Sequence, residues 1–159
     1  MGAVLHLPRA WWLPYLGKPW SAIPNPPESY TCGELLRAIH RELCGIETPP
    51  IPIRNAGSRL QCLRAMQPDL FGLEPLPEGQ APRDLDVAFL GRGRTLAHCG
   101  MAVETCEGLR VLHCPQASCG VTLESLPALA LAGFPRIRWF RHREMEAALA
   151  ARGFLRGGA

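Results

Sequence analysis

Thr31-Cys32-Gly33-Glu34-Leu35-Leu36-Arg37-Ala38-Ile39-His40-Arg41-Glu42-Leu43-Cys44-Gly45 is the stretch on which the reading of this chain turns. Its apolar positions Leu35, Leu36, Ile39 and Leu43 fall at i, i+1, i+4 and i+8, one stripe of an α-helix, and Arg37, Arg41 and Glu42 lie off that stripe. The spacing predicts a helix over residues 32–43. Ser29 or Thr31 can cap its start. Gly45 follows the last stripe residue as a C-cap, and Pro49, Pro50 and Pro52 forbid continuation. Cys32 therefore falls in the first turn, where unpaired N–H groups and the helix dipole favour a thiolate. Cys44 and Cys62, late in helices or beside apolar stripes, read as core thiols.

Upstream, residues 1–31 are broken by prolines and rich in aromatics: Trp11, Trp12, Tyr15, Trp20 and Tyr30. A short helix is expected over 11–16 and an irregular loop over 21–28. Downstream, 58–66 reads as a second helix and 67–83 as loop, with a turn around 77–79. Then the period changes. Residues 87–90, 98–104, 109–114, 121–123 and 137–140 read as strands, with turns at 91–94 and 106–108, and 144–151 reads as a last helix. Helices first and antiparallel strands after predict an α+β fold with N-terminal helices packed on an antiparallel sheet. A length of 159 residues suits one domain over 1–159, with 1–14 as an N-terminal extension and 143–159 as a C-terminal tail.

Composition narrows the function classes. Gly and Pro number 16 each, enough for a loop-rich globule but short of a disordered chain. A net charge of +3, scattered along the chain, gives no footprint for nucleic acid. The longest apolar run, 126–134, is broken by Pro127 and Gly133 and is too short to span a bilayer, so no membrane insertion is expected. Residues 1–20 carry Pro8, Pro14 and Pro19 and no continuous apolar core of a secretory signal, so a reducing cytoplasm is the expected place of synthesis. There the seven cysteines start as free thiols, and an odd number would leave one unpaired in a complete disulfide framework.

A cysteine nucleophile needs a base, usually histidine, and the base needs an orienting partner. His98 and His113 fall on the two strands of the predicted hairpin. Because strand side chains alternate, either register allowed by the turn puts both imidazoles on one sheet face, one or two cross-strand pairs apart. His6, His40 and His142 carry no such signal. The competing chemistry is metal binding. His98, Cys99, Cys106, His113, Cys114 and Cys119 lie within 22 residues. No C-x2-C pair occurs among them, and adjacent strand residues point to opposite faces. Cys99 and Cys114 are expected to pack together behind the hairpin, and a disulfide among Cys106, Cys114 and Cys119 is open after release into an oxidising space.

These residues also carry a resemblance. Tyr15-Leu16-Gly17-Lys18-Pro19-Trp20, then Tyr30-Thr31-Cys32-Gly33-Glu34-Leu35-Leu36, resembles the opening of an NlpC-type cell-wall cysteine peptidase. In that family a Leu-Gly-x-Pro-like segment precedes an Asp-Cys-(Ser/Trp)-Gly-(Leu/Phe)-Val motif. Asp86-Val87-Ala88-Phe89-Leu90, His98-Cys99-Gly100-Met101-Ala102-Val103, Val111-Leu112-His113 and Gly120-Val121 resemble its later strands in order, so that the likeness covers roughly 15–141. The resemblance implies a compact papain-like domain with Cys32 as nucleophile, His98 as base and His113 as its orienter, and no cofactor. It implies amide hydrolysis in peptidoglycan stem peptides. The compact form with a Gly-Lys-Pro-Trp opening is most similar to peptidases of phage tail tips, which implies a virion location and other tail-tip proteins as partners.

Within the likeness, Tyr30 is a candidate for the oxyanion site or substrate, or else a packing residue, and Gly33 is a further oxyanion candidate. Thr31 stands where the family has Asp, and Gly33 and Glu34 where Ser or Trp and then Gly are usual. The Glu34 carboxylate is expected to raise the Cys32 pKa. A structural or assembly protein on the same fold, without activity, is the second reading, and a cysteine-rich metal module (Cys99, Cys106, Cys114, Cys119) the third. The arginines at 136, 138, 141, 143, 152 and 156 offer a basic C-terminal face to an anionic surface, or a solvated tail.

Overall fold

The computed structural model describes residues 3–118 and 120–157. The Cys32 stretch folds as predicted at its start. Helix α1 (Cys32–Ile39) runs on through a wider, π-type turn over His40–Cys44 and stops at Gly45, whose φ of 71° is the left-handed conformation glycine adopts readily. Leu35, Leu36 and Ile39 are buried. Burial of each of these stripe residues contributes about 1.5–3 kcal/mol. Helix α2 (Arg59–Ala65) is capped by Ser58, whose hydroxyl accepts from the Gln61 N–H. The expected helix over 11–16 is only a 3-10 turn, Leu13–Tyr15. Pro14 at its start and Gly17 just beyond leave no length for a full α-helix.

The second half supplies the sheet. Strand β1 (Val4–Leu5) stands apart from it. The main sheet comprises β2 (Leu73–Pro75), β3 (Val87–Arg92), β4 (Thr95–Thr105), β5 (Gly108–His113), β6 (Thr122–Ser125) and β7 (Arg136–His142). Its order is β2-β7-β3-β4-β5-β6, and every neighbouring pair is antiparallel. Two elements depart from expectation. Residues 67–83 hold a 3-10 turn (Pro68–Phe71) and the edge strand β2, which pairs with β7 through Leu73 and His142. The apolar run 126–134 forms helix α3 (Leu126–Leu131), started by Ser125 capping the Ala128 N–H and by Pro127 in the first turn.

The two sheet faces are covered differently. Val87, Phe89, Cys99, Met101, Leu112 and Phe140 join the main core with α1 and with helix α4 (Met145–Ala151). Ala88, Leu90 and Val111 point the other way, against Leu129 of α3. The ends of the chain enter this architecture. Strand β1 pairs antiparallel with β8 (Leu155–Arg156), and Trp11, Met145 and Leu149 are buried in the main core. Residues 143–157 are thus not a frayed tail. Part of the expected basic face is also spent internally: Arg141 grips the buried Asp86 carboxylate through two bonds of 2.6 and 2.7 Å.

Candidate active site

Thr31 fixes the start of α1. Its backbone is extended (φ −99°, ψ 174°), its hydroxyl accepts from the Glu34 N–H at 3.1 Å, and its carbonyl accepts from the Leu35 N–H at 3.1 Å. A threonine thus does the capping work for which the resemblance expects aspartate. Among the described residues, the N–H groups of Cys32 and Gly33 have no partner and stand at the positive end of the helix.

Glu34 is not among the groups that shift Cys32, against the expectation that its carboxylate raises the thiol. Both Glu34 carboxylate oxygens lie 3.0 Å from Arg37 Nη1, and Arg37 Nη2 donates to the Thr48 carbonyl at 3.2 Å, so the charge is spent beside the helix rather than on the thiol. The Cys32 pKa is held well below its ordinary value. The Cys99 thiol as a hydrogen-bond donor is the largest cause. Burial opposes it, and the His98 charge and hydrogen bond add to it. Cys99, the thiol that gives the bond, is pushed up correspondingly. The arrangement singles out one sulfur: burial raises Cys44 and Cys114 to about 12.

The hairpin brings the histidines together in the expected way. Gly100 pairs with His113, so His98 and His113 stand on one face, one step apart along the diagonal. A methyl on Gly100 would meet Val111 Cγ1 at 2.4 Å and the Leu112 carbonyl at 2.9 Å, so only glycine lets these strands carry both rings. His98 Nε2 and His113 Nδ1 are 2.8 Å apart. Phe134 stacks on His98 with ring centres 4.8 Å apart, and its ring meets His113 edge-on.

A residue that sequence reasoning missed completes the row. Glu124 Oε2 lies 2.8 Å from His113 Nε2. Strand β6 pairs Val111 with Glu124 and His113 with Thr122, which puts Glu124 diagonally beside His113 on the same face. Extending the hairpin register by one strand would have found it. The signal was there in the alternation of Thr122, Leu123 and Glu124.

The tautomers follow from the acceptors. A carboxylate can only accept, so His113 Nε2 carries the proton and donates to Glu124. His113 Nδ1 is then an acceptor, and His98 Nε2–H donates to it. That leaves His98 Nδ1 with its lone pair free. Burial, with the neighbouring His98, lowers the His113 pKa to about 4, so His113 serves as a neutral link.

Two hollows meet at this row. One is apolar and runs from Cys32 along α1. The other opens over His98, His113, Glu124 and Phe134, with Arg59 at its rim, and Ala97 borders both. Gly33 lines the first. Tyr30 lines neither. Its ring is buried edge-on against Tyr15, and its carbonyl accepts from Cys114 Sγ at 3.6 Å. The structure does not gather the alternative metal ligands. Cys99 and Cys114 are buried in the main core, with Cys99 beside Cys32 in the same hollow, Cys106 is exposed in the β4–β5 turn, and Cys119 lies outside the described residues. Among the described residues no group of three or more His, Cys, Asp or Glu side chains is placed to hold a metal ion. A scan against protein-family models finds no match to this chain, and a search of curated proteins finds none either.

Proposed function

We propose that this protein is a thiol peptidase of NlpC-type, papain-like architecture that hydrolyses amide bonds of peptidoglycan stem peptides as a component of a phage tail tip. The observations that carry the reading are a Cys32 thiol whose pKa is lowered with His98 among the causes, and the row His98, His113 and Glu124, joined by two 2.8 Å contacts that end on a carboxylate. The order of the three family residues along the chain and their resemblance motifs supply the substrate class and the tail-tip setting.

In this mechanism His98 Nδ1 takes the Cys32 proton and the thiolate attacks the amide carbonyl. The free N–H groups at the start of α1 receive the negative charge on the carbonyl oxygen. His98, now doubly protonated, donates from Nδ1 to the leaving amine, and the C–N bond breaks to give an acyl-enzyme. Water then gives its proton to His98 Nδ1 as it attacks the thioester, and Cys32 leaves with the acid product released. Throughout, His113 holds the Nε2–H of His98, and Glu124 holds His113 in the tautomer that can accept it.

The test is digestion of purified cell walls, followed by mass spectrometry of the soluble fragments. Wild type should release fragments bearing new amino termini within the stem, and Cys32→Ala should release none. Intact stems after both treatments, with the protein assembled in tails, would favour the inactive assembly protein instead. Mass spectrometry of purified virions tests the setting: the chain should appear among the tail proteins.

A further inference from the structure

Cys32, Cys62 and Cys99 all line the apolar hollow beside α1. They come from three elements: the first turn of α1, helix α2 and strand β4. Cys32 is partly exposed, and residue 99 holds its sulfur twice, because the thiol and the backbone N–H of Cys99 both donate to it. Cys99 itself is only 3% exposed. Cys62 is engaged elsewhere, since its Sγ donates to the Ala56 carbonyl at 3.4 Å. Of the two other sulfurs in the hollow, Cys99 is therefore the one in hydrogen-bond contact with Cys32.

A hydroxyl at position 99 would donate to Cys32 as well, so hydrogen bonding alone does not call for sulfur there. What a second thiol adds is the capacity to bond covalently to the first. The pair has the asymmetry this chemistry needs. Cys32, partly exposed and held as a thiolate, is the sulfur an oxidant meets first. Cys99 is screened from solvent and keeps its proton, with the neighbouring Cys32 as the largest cause and burial next. Oxidation of Cys32 to an uncharged sulfenic acid removes the charge that holds that proton, and Cys99 becomes able to attack. Disulfide sulfurs stand about 2 Å apart, a short approach from hydrogen-bond contact.

We infer that Cys32 and Cys99 form a peroxide-responsive modification site, in which a peroxide oxidises Cys32 to the sulfenic acid and Cys99 captures it as an intramolecular disulfide. The Cys32 thiolate attacks one oxygen of hydrogen peroxide, the O–O bond breaks, and the departing hydroxide takes a proton from solvent to leave as water. The Cys99 sulfur then attacks the Cys32 sulfur, the S–O bond breaks, and the hydroxide leaves with the Cys99 proton as a second water. Peroxide is reduced and two thiols are oxidised. The bridge removes the Cys32 thiolate, so hydrolysis stops until a dithiol reopens it by exchange, and it spares Cys32 the irreversible sulfinic acid. The loss of hydrolysis rests on the reading of Cys32 as the nucleophile, whereas the bridge itself does not.

The test treats reduced protein with hydrogen peroxide, blocks free thiols with N-ethylmaleimide, and digests the monomer with trypsin and a glutamate-specific protease for mass spectrometry. Wild type should lose two hydrogens in mass and two titratable thiols, and residues 29–34 should be linked to residues 95–104. Digestion of cell walls should fall at least tenfold as the bridge forms and return with dithiothreitol. Cys99→Ser, which keeps a donor to Cys32 but cannot bridge it, should instead gain oxygen on Cys32, with the sulfenic form trapped by dimedone, and dithiothreitol should not restore its activity once two oxygens are added. Oxygen on wild-type Cys32 without a bridge, a bridge from Cys32 to Cys62, or a Cys32 that peroxide leaves as a thiol overturns the inference. Walls cut by reduced protein that never bridges sink this inference alone. A bridge between Cys32 and Cys99 in a protein that cuts no wall sinks the peptidase reading and leaves the modification site standing.

Discussion

Replacing Glu124 by alanine tests how the row of side chains works. The carboxylate holds the proton of His113 on Nε2 at 2.8 Å. Without it, His113 can equally carry its proton on Nδ1, and that tautomer opposes the Nε2–H of His98. The His98 ring then shifts its own proton to Nδ1, the atom that must receive one from Cys32. A hydrogen bond to a charged group contributes about 1.5–3 kcal/mol net. The Glu124 side chain is 30% exposed, so water can partly replace it, which favours the lower end of that range. About 1.5 kcal/mol corresponds to roughly a tenfold loss in kcat/KM. Glu124→Gln keeps an acceptor oxygen and loses the charge, and neutral bonds are about half as strong, so roughly a threefold loss is expected. The assay is release of stem-peptide amine, with the melting temperature as a control for folding. Activity of Glu124→Ala within twofold of wild type would refute the tautomer assignment. A loss beyond about a thousandfold in a folded variant would also refute it, because an orienting bond cannot supply that much.

Three further outcomes are expected from the same geometry. Asp86 is 1% exposed and binds Arg141 twice, so Asp86→Ala leaves that arginine without a partner and should lower unfolding free energy by about 3 kcal/mol in urea titrations. A methyl at Gly33 would lie 2.3 Å from Ile51 Cδ1. Ile51 Cδ1 is the free end of a half-buried side chain that can turn aside, so the helix gain of about 1 kcal/mol prevails and Gly33→Ala should raise the unfolding free energy by up to that amount in urea titrations. Acid should destabilise the fold through His40 and His113, whose folded pKa values of about 3 and about 4 lie below the ordinary 6.5. As pH falls through 6.5 the unfolded chain takes up protons that the folded chain refuses. Each histidine therefore costs about 1.4 kcal/mol for every pH unit down to its folded value, and His40→Phe should flatten the curve between pH 6 and 4.

Local periodicity, and the geometry it dictates directly, was legible in the sequence. The stripe Leu35, Leu36, Ile39 and Leu43 located α1, Thr31 was one of two expected caps, and the turn after β4 put His98 and His113 on one face. The misses involve longer range. Helix α3 is short and apolar, and its role depends on a second sheet face left uncovered by the N-terminal helices, which no local pattern reveals. Strand β2 exists because β7 offers it an edge. Glu124 needed the register of a third strand. The effect of Glu34 was misjudged because proximity in sequence says nothing of Arg37 folding back over it, and the Cys99 thiol that lowers Cys32 comes from a distant strand, β4.

The central claim is that Cys32 is a thiolate held by its neighbours and poised on His98. The direct measurement is thiolate absorbance near 240 nm against pH, taken as the difference between wild type and Cys32→Ala. The thiolate signal should titrate well below the ordinary thiol range, and its midpoint should be displaced upward in both Cys99→Ala and His98→Ala, since both neighbours lower the Cys32 pKa. A difference signal that emerges only near the ordinary thiol value of about 8.5, and that neither substitution moves, would contradict the claim.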